Sequence, residues 1–159
     1  MRTFGKSLMI LSAITAAPLF AGALWLEIGN PAANPEAQMK KAVLVARVTA
    51  CKSPAKTTVM GTAEGIVNGV RKSIPLNVIS LSMPGTYAVT REWPEQGRWA
   101  VKMIVVNPDY KDYTPSVMVP VGTASLNWAA VKHYSRAPTD SEVAEVLAGK
   151  SSDTRASVN

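Results

Sequence analysis

Hydrophobic and polar residues alternate most regularly in the middle of the chain. Residues 87–93 and 98–105 alternate with a period of two, which is typical of β-strands that bury one face. Tyr87 and Trp99 are expected to supply much of the buried aromatic area of the two inner faces. The intervening segment 94–97, Pro-Glu-Gln-Gly, consists of residues that favour turns. The pattern therefore predicts two consecutive strands that pair as an antiparallel hairpin.

Further apolar runs, separated by turn residues, extend the β pattern over most of the chain. Asn68-Gly69 predicts a tight hairpin turn, because such turns need positive φ. In residues 70–82 the alternation changes parity near Pro75, which predicts a β-bulge, an edge strand or a break into two strands. Gly61 and Gly65 indicate a bulge or a close backbone approach. Strands are expected at 42–51, 57–67, 70–82, 116–121 and 125–132, and residues 24–28 form either a strand or an exposed end.

The two ends of the chain carry different signals. Residues 138–142 supply helix-cap residues ahead of apolar spacing at 143–148, and Gly149 follows, so a short helix is predicted. Residues 151–159 are polar and predict a disordered tail. Together the signals predict an all-β, immunoglobulin-like antiparallel β-sandwich with a short C-terminal helix. The expected division is 1–23 signal peptide, 24–41 N-terminal segment and linker, 42–135 β-sandwich, and 136–159 helix and disordered tail.

The central residues resemble a family of extracytoplasmic domains. The motif Gly-x-Tyr-x-Val at 85–89, followed by Pro-x-x-Gly-x-Trp-x-Val at 94–101, is similar to a hairpin of the YtkA-like and carboxypeptidase-regulatory-like immunoglobulin-like sandwiches of bacteria. The resemblance covers residues 83–106. It implies a sandwich fold, and its residues serve turn geometry and core packing, so it implies no reaction.

The first 23 residues have the pattern of a secretory signal peptide. Arg2 and Lys6 precede an apolar run at 8–20, and the small residues at 21–23 form a cleavage site. As a helix this run spans about 20 Å, short of the roughly 30 Å hydrocarbon core of a bilayer. We therefore expect cleavage after Ala23, no stable membrane span afterwards, and a periplasmic or extracellular location. An uncleaved anchor helix is the alternative.

Charge limits the classes of partner. The chain has 17 Lys and Arg against 11 Asp and Glu, a net charge of +6, and the basic residues are scattered along it. No block of basic residues predicts a nucleic-acid partner, and export makes one less expected. A solvated basic surface is the simpler interpretation, and contact with anionic lipid or cell-wall polymer is the alternative.

Cys51 is the single cysteine, so the chain forms no internal disulfide and its fold depends on the core. It ends an apolar run, which favours a buried, inert thiol; a reactive or intermolecular thiol beside Lys52 is the alternative. A periplasmic copper(I) site with His133, Cys51 and Met83 as soft ligands is an alternative function. The methionines are isolated in sequence, however, which suits gap-filling core residues equally well. No cofactor is expected.

Conventional catalytic motifs are absent from the sequence. His133 is the only histidine, and no nucleophile elbow, zinc-protease motif or phosphate-binding loop occurs. The acidic pairs Glu92 with Glu95 and Asp109 with Asp112 fall at a strand end and in a loop, where solvated charge is the ordinary explanation. The chain is therefore expected not to be an enzyme, with a carboxylate-pair hydrolase as a further alternative.

Aromatic residues near the predicted strand ends are the candidate binding residues. Trp93, Tyr110, Tyr113 and Tyr134 lie where exposed rings make protein or glycan contacts, or where they close an end of the sandwich. Trp128 lies inside a predicted strand and is expected in the core. We therefore expect an exported, non-catalytic binding or accessory module of the cell envelope, whose partner is another envelope protein or a glycan.

Overall fold

Two antiparallel β-sheets form the fold in the computed structural model, which describes residues 24–149. The first sheet has four strands, which in spatial order are Leu24–Gly29 (β1), Ala42–Ala50 (β2), Thr86–Thr90 (β6) and Val78–Ser80 (β5). The second has five: Val70–Pro75 (β4), Thr58–Val67 (β3), Arg98–Val106 (β7), Ser116–Pro120 (β8) and Lys132–Tyr134 (β9). The predicted signal peptide and the predicted tail at 151–159 lie outside the described residues.

The strand order is that of the immunoglobulin fold. In that fold, strands A, B, E and D form one sheet and C, F and G form the other, with C′ added in the larger variants. Here β1-β2-β6-β5 corresponds to the first sheet and β4-β3-β7-β8 to the second, with β9 added at its edge. The predicted immunoglobulin-like β-sandwich is therefore confirmed.

The prediction of a hairpin in the centre of the chain is wrong. Strands β6 and β7 form close to the predicted positions, but β6 pairs with β2 and β5, whereas β7 pairs with β3 and β8 in the other sheet. The segment 91–97 crosses between the sheets, and Trp93 within it is buried in the shared core. Alternation identifies a strand with one buried face, but it carries no information about the neighbour with which that strand pairs.

A second crossing between the sheets joins β4 to β5. The chain leaves one sheet at Pro75 and enters the other at Val78, and the N–H of Leu76 between them donates to the Gly61 carbonyl oxygen at 2.9 Å. The change of parity in the sequence therefore marks a break into two strands, as one of the three interpretations predicted. The predicted Asn68-Gly69 turn is also confirmed, with φ of 51° and 78°, and it joins β3 to β4.

Trp99 on β7 is buried against bare backbone of β3. Gly65 lies opposite Trp99 in the paired strands, and a Cβ atom at Gly65 would come within 2.2 Å of the indole ring. The ring therefore occupies the space that a side chain would fill, which confirms the predicted close approach. Side chains from both sheets complete the core around it, among them Leu24, Leu44, Val89, Val101, Met103 and Val117.

Residues 24–41 belong to the sandwich rather than to a linker. Strand β1 pairs with β2 along its whole length and buries Leu24 and Leu26 in the core. A short helix, Pro35–Met39 (α1), packs Ala37 against Leu81 and Ala88 on the outer face of the first sheet. The two prolines that suggested a linker instead start a 3-10 turn and this helix, because proline is suited to the first position of a helix.

The expected strand at 125–132 does not form. A single bridge joins Val121 to Leu126, and a 3-10 turn, Trp128–Ala130, follows it. Strand β9 begins only at Lys132, and its three residues pair with residues 116–118 at the start of β8. A short apolar run of this kind fits a turn that covers the end of the core as well as it fits a strand, so its pattern was ambiguous.

A C-terminal helix, Asp140–Leu147 (α2), covers part of the outer face of the second sheet and confirms the predicted helix. Thr139 and Glu142 form a reciprocal capping box at its start. The Arg136 guanidinium, 2.8 Å from the Glu142 carboxylate, and the Thr139 N–H lower the pKa of Glu142 to about 2. The helix packs Val143, Val146 and Leu147 against Ala100 and Met118.

A buried carboxylate, Glu64, lies on the same outer face of the second sheet. It is only 3% exposed and accepts hydrogen bonds from Lys102 and from two neighbouring hydroxyl groups. The Arg71 guanidinium lies 3.8 Å from Glu64 and 3.0 Å from Asp140, so it links this group to helix α2. Burial by itself raises the pKa of Glu64, but Lys102 and the hydroxyl groups lower it below its ordinary value of 4.5.

Replacing Gly65 by alanine tests the packing of Trp99. We expect Gly65→Ala to lower the free energy of unfolding by about 2–3 kcal/mol, because the new methyl group overlaps the indole ring. Gly29→Ala is the matched control, since a Cβ atom there meets nothing within 4 Å, and its effect should stay within about 0.5 kcal/mol. Urea denaturation measures both. Equal stability of the two variants would contradict the packing described here.

Glu64→Gln tests the buried ion pair. Above pH 5 we expect a loss of about 2–3 kcal/mol of stability, because Lys102 loses its buried partner. A carboxyl group whose pKa is lower in the folded protein than in the unfolded chain stabilises the fold at pH values above its unfolded pKa of about 4.5. This stabilisation disappears as the pH falls through the pKa of the folded protein. The difference between the wild type and the variant should therefore shrink below pH 4.5. Exposed Glu27→Gln is the control, and a constant difference from pH 7 to pH 3 would contradict this role of Glu64.

Candidate functional site

An open cleft of about 840 Å³ lies at one end of the sandwich. It is lined by the start of the β1–β2 connection with Val43 of β2, by the sheet-crossing segment 91–97 with the first residues of β7, and by residues 121–128 after β8. We call it the tryptophan cleft, because three of the four tryptophans of the chain line it, namely Trp93, Trp99 and Trp128. Clefts of this size that combine aromatic walls with a few polar groups are typical small-ligand sites.

The wall formed by Trp99 is fixed by the turn that precedes it. The indole Nε1 of Trp99 donates a hydrogen bond to the Gln96 carbonyl oxygen at 2.8 Å. Gly97 has φ +98°, and a Cβ atom there would lie 2.7 Å from the Ile66 carbonyl oxygen, so both the conformation and the contact require glycine. The turn therefore determines the position of this wall.

Trp93 is 5% exposed and packs in the core, so of its two interpretations the structure fits a ring that closes an end of the sandwich rather than an exposed ring. The reason is the sheet crossing, which carries the ring between the sheets. The Arg91 guanidinium lies over the ring, 5.7 Å from its centroid, and its Nε donates to the Trp93 carbonyl oxygen. The indole Nε1–H of Trp93 is buried and has no acceptor among residues 24–149.

The charged side chains of the cleft are mostly cationic. Arg91 and Arg98 flank the sheet-crossing segment on its two sides, and Glu95 is the carboxylate among the residues that line the cleft. All three side chains are exposed. Within the described part of the chain no ion pair engages Arg98. The cleft thus offers guanidinium groups whose donors are free to meet a ligand.

Two backbone N–H groups of the remaining wall are already hydrogen-bonded. The Val121 N–H donates to the Trp99 carbonyl oxygen at 2.8 Å, and the Gly122 N–H donates to the Ser125 carbonyl oxygen at 2.7 Å. These two N–H groups are therefore not available to a ligand. Trp128, expected in the core, is half-buried here and packs against the core from the cleft side.

The three candidate tyrosines lie at the opposite end of the sandwich. The Tyr110 hydroxyl accepts a hydrogen bond from the Lys52 N–H at 3.0 Å, which fixes the loop after β2. Tyr113 and Tyr134 line a small cavity of about 220 Å³ together with His133 and the exposed Trp25. All three tyrosine rings are half-buried, and Tyr110 and Tyr113 pack against the main core.

The soft ligands suggested for copper lie at this same end. Cys51 is exposed, so the expectation of a buried thiol is wrong: β2 ends at Ala50 and the next residue turns outward. Met83 is 57% exposed in the turn before β6, and His133 lies on the edge strand β9. Between residues 24 and 149, no group of three or more His, Cys, Asp or Glu side chains is placed to hold a metal ion.

The acidic residues suggested for hydrolysis have ordinary partners. Asp109 accepts a hydrogen bond from Ser53 and lies 3.6 Å from the Lys56 ammonium, and these contacts lower its pKa. Glu92 accepts a hydrogen bond from the Thr90 hydroxyl at 2.7 Å. A general acid needs a raised pKa, so the shift at Asp109 has the wrong direction for that role.

Comparison with known proteins gives no relative. No protein-family model matches the chain, and no curated protein or solved structure is significantly similar to it. The resemblance to extracytoplasmic sandwiches stays a prediction. Within residues 24–149, no helix is long and apolar enough to cross a membrane.

Comparing two tryptophans tests the unpaired N–H in the cleft wall. Trp99→Phe removes a hydrogen bond. Trp93→Phe instead removes a buried N–H that lacks an acceptor. An unpaired buried N–H costs about 1–3 kcal/mol of stability, so its removal offsets part of the loss from the smaller ring. We therefore expect Trp99→Phe to lower the free energy of unfolding by about 2 kcal/mol more than Trp93→Phe. Thermal or urea unfolding measures the difference. Equal losses would mean that the Trp93 N–H has an acceptor in solution.

Proposed function

We propose that the protein is an exported, non-catalytic binding module of the cell envelope, and that the tryptophan cleft is its ligand site. The observation that carries the proposal is that three tryptophans and two arginines meet at one open cleft, four of them from residues 91–99 and Trp128 from the segment after β8. Binding sites on sandwich folds lie at the ends of the sheets, where connecting segments meet on a rigid scaffold.

The shape of the site favours a small ligand or a chain of small units. A stable protein interface needs roughly 800 Å² of surface from each partner and is commonly broad, whereas this cleft is concave and closed at its base by buried indole rings. A glycan is therefore favoured over another envelope protein as the occupant. Half-buried Trp128 supplies an aromatic surface beside the polar residues 122–125.

Two further features support a non-catalytic, exported role. The carboxylates suggested for hydrolysis lie outside the cleft, except for Glu95, which lines it without a second carboxylate. The exported role rests on the sequence pattern of residues 1–23, in which Arg2 and Lys6 precede an apolar run and a group of small residues.

Blocking the cleft tests the proposed site. Binding of the chain 24–149 to a panel of neutral and acidic envelope glycans and envelope proteins should fall at least about tenfold in Trp128→Ala, because the aromatic wall is lost. Ala124→Trp, at an exposed residue of the wall, should block the cleft without removing core packing. Isothermal titration calorimetry measures both variants.

The control is Trp25→Ala, which removes an exposed indole at the opposite end of the sandwich. Its affinity should equal that of the wild type. A ligand that is lost with Trp25→Ala but retained by both cleft variants would move the binding site to the tyrosine end and refute the proposal.

A further inference from the structure

We propose that the tryptophan cleft recognises a saccharide that carries a carboxylate, such as a uronic acid unit. This inference rests on the proposed function, because it names the ligand class of the same site. Its evidence is the set of donors and aromatic surfaces that line the cleft, which a neutral sugar would use only in part.

The polar side chains of the cleft are matched to an acceptor-rich anion. Arg91 and Arg98 present exposed guanidinium donors to the cleft. Glu95 is the opposing carboxylate, so the guanidinium groups outnumber it. Guanidinium and carboxylate groups pair through two parallel hydrogen bonds, which are stronger and more directional than neutral ones.

Arg91 is held in place before any ligand binds. Its guanidinium lies over the Trp93 ring, and its Nε donates to the Trp93 carbonyl oxygen at 3.2 Å. These contacts use Nε and leave the two terminal amino groups without a hydrogen bond in the described part of the chain. A fixed arginine loses less conformational entropy on binding, so its donors contribute more to affinity.

The aromatic wall favours a sugar ring over an acidic peptide. A peptide gains much of its affinity from main-chain pairing with an open strand edge. Here the backbone groups of Val121 and Gly122 are already bonded within the wall, so such pairing is not offered there. Half-buried Trp128 instead presents a flat apolar surface, on which the C–H face of a sugar ring can lie while its carboxylate meets an arginine.

Calorimetric titration with matched saccharides tests the inference. Tetragalacturonate and a hyaluronan tetrasaccharide are compared with their carboxyl-reduced forms, which keep the rings and linkages but lose the charge. We expect the acidic forms to bind at least about tenfold more tightly. Arg98→Gln and Arg91→Gln should each lower the affinity for the acidic forms about tenfold. Arg47 is an exposed arginine outside the cleft, so Arg47→Gln should leave this affinity unchanged. Affinity for the acidic forms should fall several-fold when the salt concentration rises about tenfold.

The outcomes separate this inference from the proposed function. Equal binding of acidic and reduced saccharides, still lost with Ala124→Trp, would overturn the carboxylate and keep the cleft as a glycan site. Binding of tetraglutamate but of no saccharide would overturn the saccharide in favour of an acidic peptide. If neither acidic saccharide binds at millimolar concentration, the inference is overturned. The wider panel of glycans and proteins then tests separately whether the cleft is a ligand site.

Discussion

The contact between the Trp99 ring and the bare backbone of Gly65 constrains both the core and the cleft. The ring fits only where β3 has no side chain, so it fixes the register in which β3 and β7 pair. A slip of one residue would turn Trp99 to the outer face and expose the whole inner row of β7. The same contact requires a tight turn at Gly97, whose close approach to Ile66 ties the sheet-crossing segment to the end of β3. That segment then places Arg91 and Trp93 at the cleft.

The sequence allowed the strands to be predicted far better than their partners. Period-two alternation depends on one buried face, and the core positions of β7 that it indicated, including Trp99 and Met103, are all buried. Pairing depends on contacts between distant segments, which no local pattern contains, so the first sheet crossing was interpreted as a hairpin, and for the second a break between two strands was only one of three interpretations. Local residue types predicted the structure correctly where a turn needs positive φ, as at Asn68-Gly69, and where capping residues start a helix, as at Thr139.

The candidate site was harder to predict than the fold for the same reason. Its walls come from three segments that are far apart in sequence, and neither Arg91 nor Arg98 carries a local signal of function. Trp93 was a candidate residue, but the sequence left open whether its ring is exposed or closes an end of the sandwich, because a tryptophan beside a proline and charged residues fits both places. At the other end, Tyr110 fixes the loop after β2, because its hydroxyl accepts a hydrogen bond from the Lys52 N–H.

Two groups of polar residues in this chain differ in where their partners come from. At Glu64, one buried carboxylate receives an ammonium group and two hydroxyl groups, with a guanidinium nearby, so its desolvation is offset by several partners. In the cleft, Arg91 and Arg98 are exposed and have no ion pair within residues 24–149. The buried Trp93 N–H lacks a partner in the described residues, but so does the buried Thr86 hydroxyl on strand β6, so an unmet buried group does not by itself mark the cleft. The assignment of the cleft therefore depends on exposed guanidinium donors beside an aromatic wall, which is the combination proposed to bind the ligand.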